Sequence, residues 1–328
     1  MAPERKKDPH STNPEHPVPA DEAVPLQFRH IDIVSSSMFP LYPHSTPPAL
    51  THRPLLHPLF QQLRDGISEF TFANIYLFRH AHQYRLTSLA DGTVALLGRD
   101  RNVPFFILPF ALPRQPLLDE LFRDHGMMKC ATTSQSQALA ALGYRVVEDR
   151  DNFDYLYHRQ ALAELGGRTY HKKRNLIKAF VNAYPSYTAR PLREEFLVDA
   201  LRVLEDWRAG NYQDGDYAAA REALESMETL QLCGGLYAVE ERPVAYVLGE
   251  ELAGMATFAI HFEKAVAGYK GLYQFINQSF AAVLPEEYAT INREQDMGDP
   301  GLRHAKLSYK PSGFVEKFKI YPAEAATV

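Results

Sequence analysis

The chain has 328 residues, 45% of them hydrophobic and 23% charged, which is enough apolar material for one large domain or two medium ones. Its formal net charge of −5 excludes a protein that binds polyanions over its whole surface. Only a local basic patch could do so, because salt confines its field to about 8–10 Å.

Two isolated cysteines, Cys130 and Cys233, give neither a disulfide framework nor a zinc site, and they fit a reducing cytoplasm. No metal ligand set and no tightly bound cofactor are expected. Residues 1–25 are polar, rich in Pro and His and without periodicity, and read as a disordered tail with no signal peptide. The most apolar stretch, residues 104–113, is far shorter than the roughly twenty residues of a membrane span.

From Leu59 to Phe70 the apolar spacing predicts a helix. Residues 84–89 and 93–97, joined by Asp91-Gly92, predict a hairpin, since Asp-Gly is a strong two-residue turn signal. A strand over 104–110, a helix over 115–125, a strand over 128–133, a helix over 135–142 and a strand over 144–148 complete a first α/β unit. The second half repeats the rhythm: helices over 193–209 and 217–230, a meander over 232–262, a helix over 271–284, a strand over 288–292, a helix over 300–310 and a last strand over 314–321. The expected fold class is α/β (α+β), with two similar units of mixed, mainly antiparallel sheet flanked by helices, 26–165 and 166–328.

Between the units lies Tyr170-His171-Lys172-Lys173-Arg174-Asn175, opening a helix that Pro185 stops. No acid occurs between Glu164 and Glu194. One reading is a solvated basic face; the other is a docking surface for the phosphates of a nucleotide or an RNA, with Tyr170 available to stack on a base.

A denser cluster follows the strand ending at Asn292: Arg293-Glu294-Gln295-Asp296, where active-site edges of α/β sheets are found. Asp299-Pro300 then starts a helix bearing Arg303, Lys306 and Tyr309. A third segment feeds the same face if the strands pair in order. His261, Glu263 and Lys264 end a strand, and Gly271 opens the helix with Tyr273 and Asn277, offering free N–H groups to an anion. Walker and dinucleotide fingerprints are absent.

These three blocks, with Gly301-Leu-Arg-His-Ala-Lys-Leu-Ser-Tyr309, resemble the signature stretches of the phosphatidylglycerol lysyltransferase C-terminal-domain family, a branch of the GNAT acyltransferases. The likeness spans residues 30–322. It implies tandem GNAT-like units with a cleft between or within them, and acyl or aminoacyl transfer. In the lysyltransferases aminoacyl-tRNA is the donor and a lipid hydroxyl the acceptor; this chain shows no membrane portion and no GNAT pyrophosphate loop.

Such a transfer needs a base, an oxyanion stabiliser and a phosphate anchor. The expected base or ammonium-binding carboxylate is Glu263 or Glu294. Arg293 and Lys306 are the expected stabilisers, Tyr309 the proton donor, and Lys172, Lys173 and Arg174 the phosphate anchors. Tyr170, His171, Asn175, His261, Lys264, Gly271, Tyr273, Asn277, Asn292, Asp296 and Arg303 complete the expected substrate-binding set. The co-substrate is aminoacyl-tRNA, with tRNA as the partner, or acyl-CoA in a conventional N-acyltransferase. A third reading is a non-catalytic module holding RNA or an acidic protein. No Gly-x-Ser-x-Gly elbow or Cys-His pairing points to a nucleophile.

Overall fold

Long strands buried along nearly their whole length need a covering layer on each side. Residues 94–98 and 243–250 are such strands, so each sheet must be packed on both faces. The computed structural model describes residues 39–210 and 215–323; the expected tail over 1–25 lies outside them.

Among the described residues thirteen strands form two sheets. In chain order they are β1 (Arg85–Ser88), β2 (Val94–Asp100), β3 (Val103–Ile107), β4 (Met128–Ala131), β5 (Arg145–Glu148), β6 (Asp154–His158), β7 (Tyr187–Pro191), β8 (Cys233–Val239), β9 (Arg242–Leu252), β10 (Thr257–Ala265), β11 (Thr290–Asn292), β12 (Gly313–Val315) and β13 (Phe318–Tyr321). The first sheet has the order β1-β2-β3-β4-β13-β5 and the second β12-β6-β11-β10-β9-β8-β7. Among these strands only β3/β4 and β10/β11 pair in parallel. The mixed, mainly antiparallel class expected from the sequence is the one observed.

The two sheets repeat one plan. An antiparallel meander (β1-β2-β3, then β8-β9-β10) is followed by a helix, Gln115–His125 or Leu272–Val283, and by a parallel strand, β4 or β11. Beyond that strand each sheet is completed from the other half of the chain. β6 leaves the first half to lie between β11 and β12, and β13 returns from the C-terminal end to lie between β4 and β5. A division at 165/166 therefore does not follow the sheets, because an exchanged strand crosses it in each direction.

Three apolar layers result. Leu86, Leu96 and Phe105 of the first sheet meet Tyr246, Leu248 and Phe262 of the second, together with helices Leu197–Ala209 and Tyr217–Glu225. The outer face of the second sheet carries helices His171–Ala183 and Leu272–Val283, with Phe180, Phe275 and Ile276 in the seam. The outer face of the first carries Leu118, Phe122 and Leu139.

Several local expectations change. The helix expected over 59–70 is replaced by Arg53–Phe60 and Phe72–Leu77: Pro54 suits a first helical turn, and Gly66 at φ +75° leaves the helical region between them. The strand expected over 314–321 splits into β12 and β13, and Lys317 at the switch is fully buried. The Asp91-Gly92 turn forms as expected, with Gly92 at φ +85° and Thr93 N donating to Asp91 at 3.1 Å.

Candidate active site

β10 pairs with β11 only from Thr257 to Ala259, yet runs on to Ala265. Past Asn292 the chain follows β6 instead: Arg293 N donates to Tyr155 O at 3.0 Å and Tyr155 N to Glu294 O at 3.2 Å. The parallel strands thus part, leaving backbone of β10 without a strand on that side. At the same point the β9/β10 register shifts between Ile260 and Phe262, so His261 is the extra residue of a bulge, a device that re-aims side chains. Strict alternation would send Phe262 to the face of Phe258 and Ile260. With the bulge, Phe262 joins the inter-sheet core, whereas Phe258 and Ile260 lie in the outer one, and Glu263 takes the outer face.

There Glu263 meets Arg293, whose Nη2 lies 3.2 and 3.4 Å from its two carboxylate oxygens. Asn277, on the Leu272–Val283 helix, is oriented so that its amide oxygen accepts from the same guanidinium at 2.9 and 3.2 Å. The guanidinium carbon lies 5.2 Å from the Tyr309 ring centre and 6.0 Å from that of Tyr157, a stacked environment that suits arginine better than lysine. Burial pushes the Tyr309 phenol up to about 12, Arg293 opposing and Glu263 adding to the shift. It stays a neutral donor at physiological pH. Glu263, Arg293, Asn277 and Tyr309 are thus brought together from four sequence-distant segments.

Beside them His261 is clamped between carboxylates, its Nδ1 2.7 Å from Glu294 and its Nε2 3.0 Å from Glu250. Burial alone would lower its pKa, but the two carboxylates raise it to about 10, so it is an imidazolium at neutral pH. Glu294 adopts φ +56°, which costs a non-glycine residue roughly 1–2 kcal/mol. The supports for that backbone are specific: Glu294 N donates to Asn292 Oδ1 at 2.7 Å, and Lys306 Nζ donates to the carbonyls of Arg293, Glu294 and Gln295 at 2.6, 3.0 and 2.6 Å. Burial, reinforced by the Arg293 charge, lowers the Lys306 pKa to about 8. An ammonium has three donors, and all of Lys306's are used. It holds the 293–295 loop and offers nothing to a substrate oxyanion, contrary to the role expected for it.

Other expected binding residues are also committed to the fold. Asp296 is fully buried and accepts from Arg303 Nε and Nη2 at 2.8 and 2.7 Å, from Tyr155 OH and from Gly298 N. Burial would raise its pKa, but Arg303, Tyr155 and the Gly298 amide hold it well below the usual carboxylate range. Asn292 Nδ2 donates to Gly66 O and Asp154 at 3.0 and 3.1 Å. Lys264 points to the opposite face of β10, ion-paired with Asp216 and lying 4.0 Å above the Trp207 ring, because the bulge puts it in phase with Phe262. Gly271, at φ +88°, lets its helix start against the basic helix; a Cβ there would stand 2.1 Å from Leu176 O. That packing covers the N-terminus expected to receive an anion. Tyr273 is exposed on the same helix.

The basic helix is divided in the same way. Lys173 donates to Ser308 Oγ at 2.7 Å and lies 4.0 Å over the Tyr309 ring, and Arg174 donates to the carbonyls of Leu165 and Gly167. Tyr170 gives its hydroxyl to Tyr309 O at 2.9 Å and packs into the outer core, so its ring is not a free stacking platform. His171, Lys172, Asn175 and Lys178 remain exposed. Sequence reasoning missed Glu250 and Tyr157; the signal for Glu250 was the acid pair Glu250-Glu251 closing a strand that is apolar from Pro243 to Leu248.

Among the described residues, no group of three or more His, Cys, Asp or Glu could hold a metal ion, and no helix is long and apolar enough to cross a membrane. The family model for phosphatidylglycerol lysyltransferase, C-terminal, matches residues 60–321. A conserved protein of unknown function from Bacteroides thetaiotaomicron is 28% identical, covers 85% of this chain and 99% of its own, and superimposes with a TM-score of 0.76. The C-terminal domain of a putative lysylphosphatidylglycerol synthetase from Agrobacterium fabrum shares the fold at 12% identity, with 84% and 92% of the chains covered and a TM-score of 0.57. An uncharacterized protein of Mycoplasmoides gallisepticum is 20% identical over 174 residues, 51% of this chain, and the match spans about half (55%) of that relative. The architecture is two mixed, mainly antiparallel sheets flanked by helices, and the chain belongs to the phosphatidylglycerol lysyltransferase C-terminal family.

Proposed function

We propose that the chain transfers an aminoacyl group from aminoacyl-tRNA to an amine or hydroxyl acceptor, and that it does so where β10 parts from β11. One observation carries this reading: the convergence of Glu263, Arg293, Asn277 and Tyr309 on the gap between those strands.

The acceptor nitrogen or oxygen attacks the ester carbonyl as Glu263 takes its proton. Arg293 faces the oxygen that gains negative charge, and Asn277 fixes the guanidinium. The tetrahedral intermediate collapses by breaking the bond to the tRNA ribose oxygen. That oxygen takes a proton from Tyr309, which recovers one from Glu263 through the acceptor or water. Glu294, paired with His261, acts as a positioning residue, as does Lys306.

Of the exposed basic residues, Lys172 and Lys178 are the candidates for the RNA backbone, with His171 beside them. The test is binding of aminoacylated tRNA and of acetyl-coenzyme A at two salt concentrations. Expected is salt-sensitive tRNA binding whose log–log salt slope falls by about 0.9 for each of Lys172→Ala and Lys178→Ala. In Lys173→Ala the slope stays and thermal stability falls. Coenzyme A binding without tRNA binding would replace the donor, and tRNA binding without transfer would leave an RNA-binding module.

A further inference from the structure

A cavity of about 490 Å³ opens at one end of the first sheet and shares no lining residue with the cluster around Glu263. Its apolar walls come from Tyr84, entering β1, Leu97 of β2 and Pro104 of β3. Arg85, Arg99, His80 and His125 also line it, with Asp124 as the acid among them. A volume of this size suits a drug- or nucleotide-sized molecule rather than a bare ion.

The cations are not equally spent. Arg79, which also lines the cavity, is held by Glu222 at 2.7 and 2.9 Å. Arg85 is oriented by Ser45, which its Nε reaches at 2.7 Å and its Nη2 through the main-chain carbonyl; among the described residues its Nη1 has no acceptor. Arg99 makes one long contact, 3.4 Å to Asn102 O. The Asp124 carboxylate accepts from Tyr42 OH at 2.5 Å. Burial lowers the His125 pKa, and the Arg99 charge lowers it further against Asp124. Positive charge therefore outweighs negative at the mouth, and two guanidiniums there retain unused donors.

We propose that this cavity is a second binding site, for a small phosphomonoester whose organic body rests on Tyr84, Leu97 and Pro104 and whose phosphate is gripped by Arg85 and Arg99. A guanidinium fork pairs with two oxygens of a planar or tetrahedral anion. A carboxylate is satisfied by one fork, whereas a terminal phosphate has three oxygens and can engage both. The apolar walls would be idle if inorganic phosphate were the ligand. The site is independent of the transferase reading, since none of its residues takes part in that chemistry.

The test uses the full chain at low salt, with ligand-observed NMR and calorimetry. The probes are adenosine 5′-monophosphate, uridine 5′-monophosphate, phenyl phosphate and glycerol 3-phosphate, with adenosine and inorganic phosphate as the halves. At least one phosphomonoester is expected to bind at submillimolar concentration, about tenfold or more tighter than either half. Arg99→Ala should weaken it by about tenfold or more, the loss of a charge-assisted hydrogen bond. Arg99 is exposed and nearly contact-free, so that variant should keep its melting temperature; Arg85→Ala provides the second reading at the other fork. Glu263→Gln should bind as the parent does, which separates this site from the proposed active site. No binding by any of the four esters, inorganic phosphate binding as tightly as they do, or full affinity in Arg99→Ala would overturn the proposal.

Discussion

Two clusters built from the same ingredients, carboxylate against cation, differ in how fully they are satisfied. At the exchanged strands, Lys317 is 0% exposed and pairs with Glu69 and with Asp154, the latter at 2.7 Å. Asp154 also accepts from Ser68 N and Oγ and from Asn292, at 2.8, 2.9 and 3.1 Å. Burial would lower the Lys317 pKa, but Asp154 and Glu69 raise it well above the usual lysine range. At the parting of β10 and β11, Glu263 keeps some exposure, 12% of its side chain, and meets Arg293 at 3.2 Å or more. In the first cluster each Asp154 oxygen accepts two hydrogen bonds, and the buried Lys317 joins the two sheets. The second lies where β11 leaves β10, and its carboxylate and guanidinium each keep some exposure. Proximity of opposite charges alone does not mark a reactive site; a charged pair that a substrate can still reach is the better candidate.

The largest effect that would sharpen this contrast is on stability. Lys317→Met leaves Glu69 and Asp154 buried without their cation, and removal of one partner from a buried pair costs about 3–5 kcal/mol. Chemical denaturation should show that loss; a change below about 1 kcal/mol would mean the cluster does not join the sheets.

A smaller effect is expected at the bulge. The His261 pKa is about 10 in the fold against 6.5 for the free group, so the folded chain holds a proton that the unfolded chain has released. Its stabilisation is complete below pH 6.5 and is lost as pH rises toward 10. Lys306, with a folded value of about 8 against 10.5, acts with the opposite sign above pH 8, which leaves 6.5–8 as the clean window. Over it the His261 contribution should fall by about 2 kcal/mol, one proton per 1.36 kcal/mol and pH unit. The slope should vanish in His261→Gln. A slope that persists in the variant would assign the effect elsewhere.

Much of the plan was legible because it rests on local rules. The Asp91-Gly92 hairpin, the helix start at Asp299-Pro300, where Asp299 accepts from Leu302 N at 2.6 Å, and the repeated meander all follow from turn and capping chemistry. Strand exchange was not legible, since nothing local in Asp154–His158 or Phe318–Tyr321 names the sheet each will join; Lys317 decides it through partners 163 and 248 residues away. At the site, sequence identified the Asn292–Asp296 run but not the division of labour within it. Asn292, Arg293, Glu294 and Asp296 turn to Asp154, Glu263, His261 and Arg303 in that order, and the bulge and the left-handed backbone at Glu294 set those directions.

In the proposed reaction Glu263 is the group that takes the acceptor's proton. The most direct test of that role is aminoacyl transfer from a pool of aminoacylated tRNAs to a panel of amine and hydroxyl acceptors, comparing the parent with Glu263→Gln. We predict a loss of about 10²–10⁴-fold in turnover, with tRNA affinity and melting temperature kept. Full turnover in Glu263→Gln would contradict it, and the carboxylate would then be only Arg293's partner in the fold.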